Sequence, residues 1–336
     1  MTDDDVKIEG IQKGAKMGKI KIFIVIAVVF SMIVLFSAAA SAEKRIGILT
    51  FSEEVRYNDT QRGIMDQLNK DGFGEPAVKF TIENAKGSKA KAAELVQKFV
   101  AAKMDLIITI GTTATIAVTR EIKNVPVVFG MVYDPIEAGI AKDWKSSGNN
   151  TTGVSPKVAM SKLVSSLKEL APVKKLAVLY TPGEKNTEIQ LKELQELQSS
   201  LQIKVIPIIM AKKEEVARTL SAVVHTVDAF YLTGSGVVGT TVPIIVAIAN
   251  QAHVVTITHL DDLVEKGALL GICANSNLVG HLAGKKAVQI LKGAKPSSIP
   301  IEIEKKLDFI LNMKTAKAGQ FQVPLSFMKK VTRTIE

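Results

Sequence analysis

The sequence predicts an α/β protein made of two doubly wound, Rossmann-like lobes joined by a hinge. Three observations carry that prediction. The chain has 336 residues, 47% of them hydrophobic, which is enough for two lobes with separate cores. Only 5% are aromatic, so Val, Ile, Leu and Ala must fill the interior, in β-branched runs that alternate with amphipathic stretches. After residue 43, one strand–loop–helix pattern is written twice.

The first copy opens with the strand RIGIL at 45–49, a polar loop TFSEEVRYNDT and a helix over 61–69; the second opens with KLAVL at 175–179, the loop YTPGEKNT and a helix over 189–199. Next, AVKFTIENA and IKVIPIIMA read as strands, each ahead of an amphipathic helix, over 88–102 and 213–225. In the first of these helices Ala92, Leu95, Val96, Phe99 and Val100 recur at helical spacing. MDLIITIGTTATIAV then corresponds to VDAFYLTGSGVVGTTVPIIVAIA. Asp105 and Asp228 each precede a buried strand that ends in Gly and hydroxyl residues at a helix start. VPVVFGMVYD, ending at Asp134, and AHVVTITHLDD, ending at Asp261 and Asp262, complete the parallel. The connections fit right-handed βαβ units and mostly parallel sheets. The expected lobes are 43–153 with about 277–300, and 154–276 with about 301–336. Ligand loops of such lobes gather at the carboxyl ends of the strands, so two facing lobes make a cleft that closes on a ligand.

The first 42 residues read as an address. Two lysines, Lys19 and Lys21, precede an apolar run from Ile22 to Phe36, followed by the small-x-small pattern Ala40-Ser41-Ala42. This predicts a signal peptide cleaved after Ala42 and a periplasmic or other extracytoplasmic location. MGKIKIF, from Met17, is a tidier start than Met1. The alternative is an uncleaved N-terminal membrane anchor, since a span needs about 20 apolar residues. The single cysteine, Cys273, excludes an intrachain disulfide, and no cysteine near residue 42 offers a lipid attachment point.

The net charge of +10 invites a nucleic-acid reading, yet only six of the 43 basic residues are Arg. The lysines are interspersed with acids, as in the pair Lys192 and Glu196. Nucleic-acid recognition leans on clustered Arg and on aromatic stacking, so no nucleic-acid partner is expected. There is no G-x-S-x-G elbow, H-E-x-x-H or P-loop lysine motif, and no enzyme activity is expected. The four histidines, 225, 253, 259 and 281, lack paired ligand spacing, so HLDD at 259–262 is not taken as a metal site. Cys273, in LLGIC, reads as core. Gly234-Ser235-Gly236-Val237-Val238-Gly239 spells G-x-G-x-x-G after a strand. It stands where the first copy has IGTT, so the glycines read as a tight strand-to-helix turn, with Pro243 in the first helical turn. No cofactor is expected; a secreted nucleotide-cofactor oxidoreductase is the remote alternative.

The stretches IITIGTTAT (107–115), VPVVFGMVYDPIEAGI (125–140), GNNTTGVS (148–155), KKLAVLYTPGEKNT (174–187), EKGALLGI (265–272), AGKKAVQILKGAKPSSIPIE (283–302) and FILNMKTAKAGQFQVP (309–324) resemble the ABC-transporter substrate-binding proteins of the tryptophan/tyrosine type. The likeness covers nearly all of 44–330. It implies the type I periplasmic-binding fold, a monomer, capture of a small polar solute such as an amino acid, and delivery to the membrane subunits of an ABC permease. A ligand-sensing partner of a signalling receptor is the alternative role of such a fold. The chain departs from the family pattern at His259-Leu260, where many relatives have Ser-Asp. It departs again at Ala274-Asn275-Ser276, where they show Val-Asp-Tyr, and at Gly234-Ser235-Gly236, where they carry Asp-Asn.

Binding without chemistry needs an anion seat, a cation seat and a wall. Gly111, Thr112 and Thr113 supply free N–H groups and hydroxyls at a helix start. Asp134, at a strand end before Pro135, is the expected ammonium partner. Phe51, with Ser52 beside it, Tyr133 and Tyr180 are the expected wall. Asn186, Ser235, His259 and Asn275 are the expected contributions of the second lobe.

Overall fold

A computed structural model describes residues 43–336; the expected signal peptide and its cleavage point after Ala42 lie outside the described residues. Strand β1 (Lys44–Thr50), helix α1 (Val55–Lys70), β2 (Val78–Asn84), α2 (Lys89–Ala101), β3 (Leu106–Ile110), α3 (Thr112–Glu121), β4 (Val127–Gly130) and β5 (Thr151–Ser155) make the first alternation. Helix α4 (Met160–Leu170) leads into the second: β6 (Lys175–Tyr180), α5 (Lys185–Leu197), β7 (Lys204–Ile209), α6 (Val216–Val223), β8 (Ala229–Leu232), α7 (Gly236–Gln251), β9 (Val255–Thr258), α8 (Asp261–Glu265) and β10 (Leu270–Ala274). The chain then runs through α9 (Ser276–Leu291), β11 (Glu302–Ile303), β12 (Leu307–Asn312), α10 (Met313–Ala318), α11 (Leu325–Met328) and β13 (Arg333–Ile335).

Two sheets result, ordered β2-β1-β3-β4-β5-β11 and β7-β6-β8-β9-β10-β12-β13. The first five strands of each copy therefore follow one order, as the written repeat implies. The pairings are parallel: Ile46 lies opposite Leu106 and Thr50 opposite Ile110 in one sheet, Leu176 opposite Ala229 and Leu179 opposite Leu232 in the other. Only β12 runs against its neighbour, β10. Central strands are buried on both faces, so LIITI and LGICA carry unbroken small and apolar runs. The edge strands β2 and β7 have exposed positions mixed in.

The first sheet holds β5 whole, through Ser155, and takes β11 as its edge strand. After β10 the chain returns to the first sheet's side, where α9 packs along α1. The two helices touch almost backbone to backbone. A Cβ on Gly63 would stand 2.2 Å from the Asn277 carbonyl oxygen, and one on Gly280 2.1 Å from that of Thr60. Arg45–Glu336 form one compact unit.

Pro243 is not in the first turn of its helix, as expected from sequence; it sits inside α7. The helix starts at Gly236, behind a Ser235 cap whose hydroxyl accepts from the Val238 N–H at 3.2 Å. A proline there has no N–H for the carbonyl four residues earlier. That carbonyl, Gly239, accepts instead from Lys266 Nζ at 3.2 Å. No described helix is long and apolar enough to cross a membrane.

Candidate functional site

The strand ends of both sheets open on one cleft of about 480 Å³. From the first sheet come Phe51 and Ser52 after β1, Tyr57 on α1, and Thr112 and Thr113 at the head of α3; from the second come Glu184 and Asn186 after β6, and Gly234 and Gly236 after β8. Its inner end continues into a recess of about 20 Å³. Tyr57, Thr112, Asn186 and Gly234 border both, and Arg56, Tyr133, Gln190 and His259 border the recess alone. The setting is the one doubly wound sheets provide for ligands.

The head of α3 is held in place. Gly111, its N-cap, has φ +96°, and a Cβ there would come within 2.7 Å of the Tyr57 hydroxyl, so glycine answers both to the backbone and to its neighbour. Thr115 Oγ1 donates to the Gly111 carbonyl at 2.9 Å and lies 2.8 Å from Thr109 Oγ1. No side chain caps the helix start. The Thr112 hydroxyl, buried at the cleft, has no hydrogen-bond partner within the protein. Unpaired N–H groups, a dipole and a spare hydroxyl form an anion seat.

Charge surrounds that seat. The Arg56 guanidinium, 2% exposed, donates through Nη1 to both Asp262 oxygens at 3.1 and 2.9 Å and pairs with Glu54. It also lies over the Tyr57 ring, 5.0 Å from its centroid. Burial alone would lower its pKa, but the Asp262 and Glu54 carboxylates more than offset this and keep it charged. Across the cleft, Glu184 accepts from the Gly236 N–H at 3.2 Å. Burial, helped by the neighbouring charge of Glu54 and opposed by that N–H, raises its pKa to about 7. Asp261 is likewise raised to about 6, by burial and then by Asp262. The glycine string thus presents its amide to a carboxylate, and a Cβ on Gly239 would lie 3.2 Å from Glu54 Oε2. Those acids would repel a dinucleotide pyrophosphate.

Beneath the recess lies a polar relay. The Tyr231 hydroxyl is 3.2 Å from Gln190 Oε1 and 2.8 Å from His259 Nδ1. The Tyr133 ring meets His259 edge-on at 5.3 Å, and its hydroxyl donates to Glu193 at 2.9 Å. Burial first, and then the Arg56 charge, lower His259 to about 3, so the imidazole is neutral.

The structure gathers Phe51, Ser52, Thr112, Thr113 and Asn186 at the cleft, and Tyr133 and His259 at the recess. Other expected residues serve the frame. Gly111 stands behind Tyr57. Asp134 holds an ammonium, but it is Lys157's, at 2.7 Å, while its other oxygen accepts from the Ile136 and Glu137 N–H groups. Tyr180 packs against the core of the second sheet. Ser235 caps α7 and bonds the Thr181 hydroxyl at 2.6 Å, and Asn275 caps α9. The sequence reading missed Glu54, Arg56, Tyr57, Glu184 and Gln190. The first four sit in the two loop-to-helix segments already recognised as equivalents, TFSEEVRYNDT and YTPGEKNT, which was the available signal. Among the described residues no group of three metal-ligating side chains forms.

A family model described as ABC transporter substrate binding protein matches residues 45–335. A tyrosine-binding protein of Clostridioides difficile (strain R20291) is 27% identical over 282 residues, 83% of this chain and 82% of that one. The crystal structure of an ABC domain in complex with L-Trp from Streptococcus pneumonia is 28% identical, with a TM-score of 0.83 over 88% of this chain and 100% of that one. The ligand-free, open structure of a substrate binding protein with adhesive properties from Clostridium difficile is 29% identical, with a TM-score of 0.69 over 87% and 100%. The chain belongs to the ABC transporter substrate-binding protein family, whose fold is of the type I periplasmic-binding kind. Its relatives bind substrates and are not enzymes.

Proposed function

We propose that this family member captures a free aromatic L-amino acid in the cleft, outside the cytoplasm, and delivers it to an ABC permease. The observation that carries the reading is the orphan Thr112 hydroxyl at an uncapped helix start, facing a cleft whose other walls hold carboxylates. A zwitterion has the matching ends. Its carboxylate suits the head of α3, its ammonium suits Glu54 and Glu184, and Phe51 and Tyr57 offer flat surfaces to a ring. The names of two relatives, one tyrosine-binding and one bound to L-Trp, support an aromatic side chain.

The lobes would be 43–155 with 276–303, and 156–275 with 304–336, turning about the three chain crossovers between the sheets. The higher TM-score to the L-Trp complex than to the open, ligand-free relative supports reading the described arrangement as the closed one. Ties across the cleft, such as Lys89 Nζ to the Gly183 carbonyl at 2.6 Å, belong to that state.

A thermal-shift scan of the purified chain against the twenty L-amino acids tests the reading. Ligand at a hundred times Kd adds about 2.7 kcal/mol. Thr112→Val removes the hydroxyl at nearly constant shape, so the free protein keeps its stability while affinity falls by about 1–2 kcal/mol. No shift with any amino acid, or unchanged affinity in the valine variant, overturns the assignment. N-terminal sequencing of protein from the native cell tests export, and residue 43 is the expected first residue.

A further inference from the structure

The recess beneath the cleft carries a reading of its own. Gln190 Oε1 can only accept, so the Tyr231 hydroxyl proton goes to it. With its proton so placed, the Tyr231 oxygen can accept in its 2.8 Å contact with His259, which requires the tautomer that carries the imidazole proton on Nδ1. A neutral ring with its proton on Nδ1 has a lone pair on Nε2, and the ring lines the recess. His259 is 2% exposed and cannot swing out to solvent, and the edge-on Tyr133 ring braces it. Arg56, on the wall of the same recess, places positive charge where it opposes protonation.

We propose that His259 Nε2 is a specificity-determining acceptor that selects a side chain ending in a hydroxyl, such as tyrosine, over one ending in hydrogen, such as phenylalanine. The proposal rests on the reading of the cleft as an amino-acid site and deepens it. The dimensions agree: about 20 Å³ holds one water-sized group, the size of a phenolic hydroxyl and far less than a ring. The ring itself would lie in the wider cleft, beside Tyr57, Asn186 and Gly234, which continue into the recess. The carboxylate would then stay at the head of α3 and the ammonium at Glu54 and Glu184, in the wider cleft. A ligand without the hydroxyl leaves a buried lone pair unpaired, and that omission is what a polar site rejects. Tyr231 and Gln190 touch no ligand in this scheme. They are positioning residues that set the tautomer.

Calorimetric titration of the purified chain with L-tyrosine and L-phenylalanine tests the proposal. Tyrosine should bind at least about tenfold more tightly. His259→Leu should bring the ratio close to one, chiefly by weakening tyrosine. Tyr231→Phe should lower the ratio while the phenylalanine Kd stays put, which a merely structural role would not produce. Comparable binding of both ligands by the native protein overturns the proposal and leaves the amino-acid reading intact. Binding of neither, with none of L-tryptophan either, overturns that reading and the proposal together. A second readout needs no ligand and no stable variant. In long-range ¹H–¹⁵N correlation spectra of histidine-labelled protein, one imidazole should stay neutral from pH 5 to pH 8, protonated on Nδ1. A proton on Nε2 of that ring overturns the proposal.

Discussion

Asp262→Ala is the perturbation with the most informative outcome. Asp262 lies on α8 beside the second sheet, and Arg56 on α1 beside the first. The pair is buried, with side chains 2% and 1% exposed, and doubly hydrogen-bonded. Removing one member of such a pair in a fixed structure costs about 3–5 kcal/mol, because the other charge stays buried. Two features lower the cost here. Arg56 keeps Glu54 and the Tyr57 ring, and if the lobes part, water reaches it. The loss then falls on the closed form and reads as weakened binding. Roughly 2–3 kcal/mol of lost closure corresponds to a Kd raised by about 30- to 150-fold. Titration with the amino acid found in the thermal scan measures this, and small-angle scattering should show apo protein that is open and compacts only at saturating ligand. An affinity within about threefold of the native value, combined with a clear fall in apo melting temperature, would refute the reasoning. It would make the pair a strut of the fold and not a latch between lobes.

Glu184→Gln isolates a cleft carboxylate whose pKa burial raises to about 7. Its folded pKa of about 7 lies above the ordinary 4.5, so the folded protein holds that proton more tightly than the unfolded chain. Its contribution is full below pH 4.5 and is lost as pH rises through 7. The glutamine variant should therefore match the native protein in melting temperature at pH 4, gain on it between pH 5 and 7, and hold a constant advantage above pH 8; a constant difference at every pH would contradict the assignment. Gly280→Ala drives a methyl into the Thr60 carbonyl, 2.1 Å away, and should cost about 1–3 kcal/mol in urea unfolding. A neutral result would mean that α1 and α9 slide apart freely.

How much of this was legible in the sequence depends on whether the determining neighbour was near in the chain. The two parallel sheets were legible because burial on both faces writes itself as a local apolar run, as in LIITI and LGICA. That both sheets share one strand order is what a pattern written twice implies. The head of α3 was legible because Gly111 and the threonines after it answer to their own turn. Partnerships were not. Arg56 and Asp262 are 206 positions apart, and before folding each is one charge among many. Asp134 reads as a free carboxylate at a strand end until Lys157, 23 residues on, is seen to occupy it. Tyr231 reads as strand core, and it is core; its hydroxyl nevertheless lies 2.8 Å from His259 Nδ1. Glu184 has its pKa raised because burial disfavours the charged form, a property of the closed cleft and not of YTPGEKNT. The groups misread or missed are those whose role is set by the opposite wall, as a site assembled from two lobes requires. The departures from the expected pattern read at His259 and Gly234-Ser235-Gly236 fall on that second wall. The place to look for this protein's own specificity is therefore the second lobe.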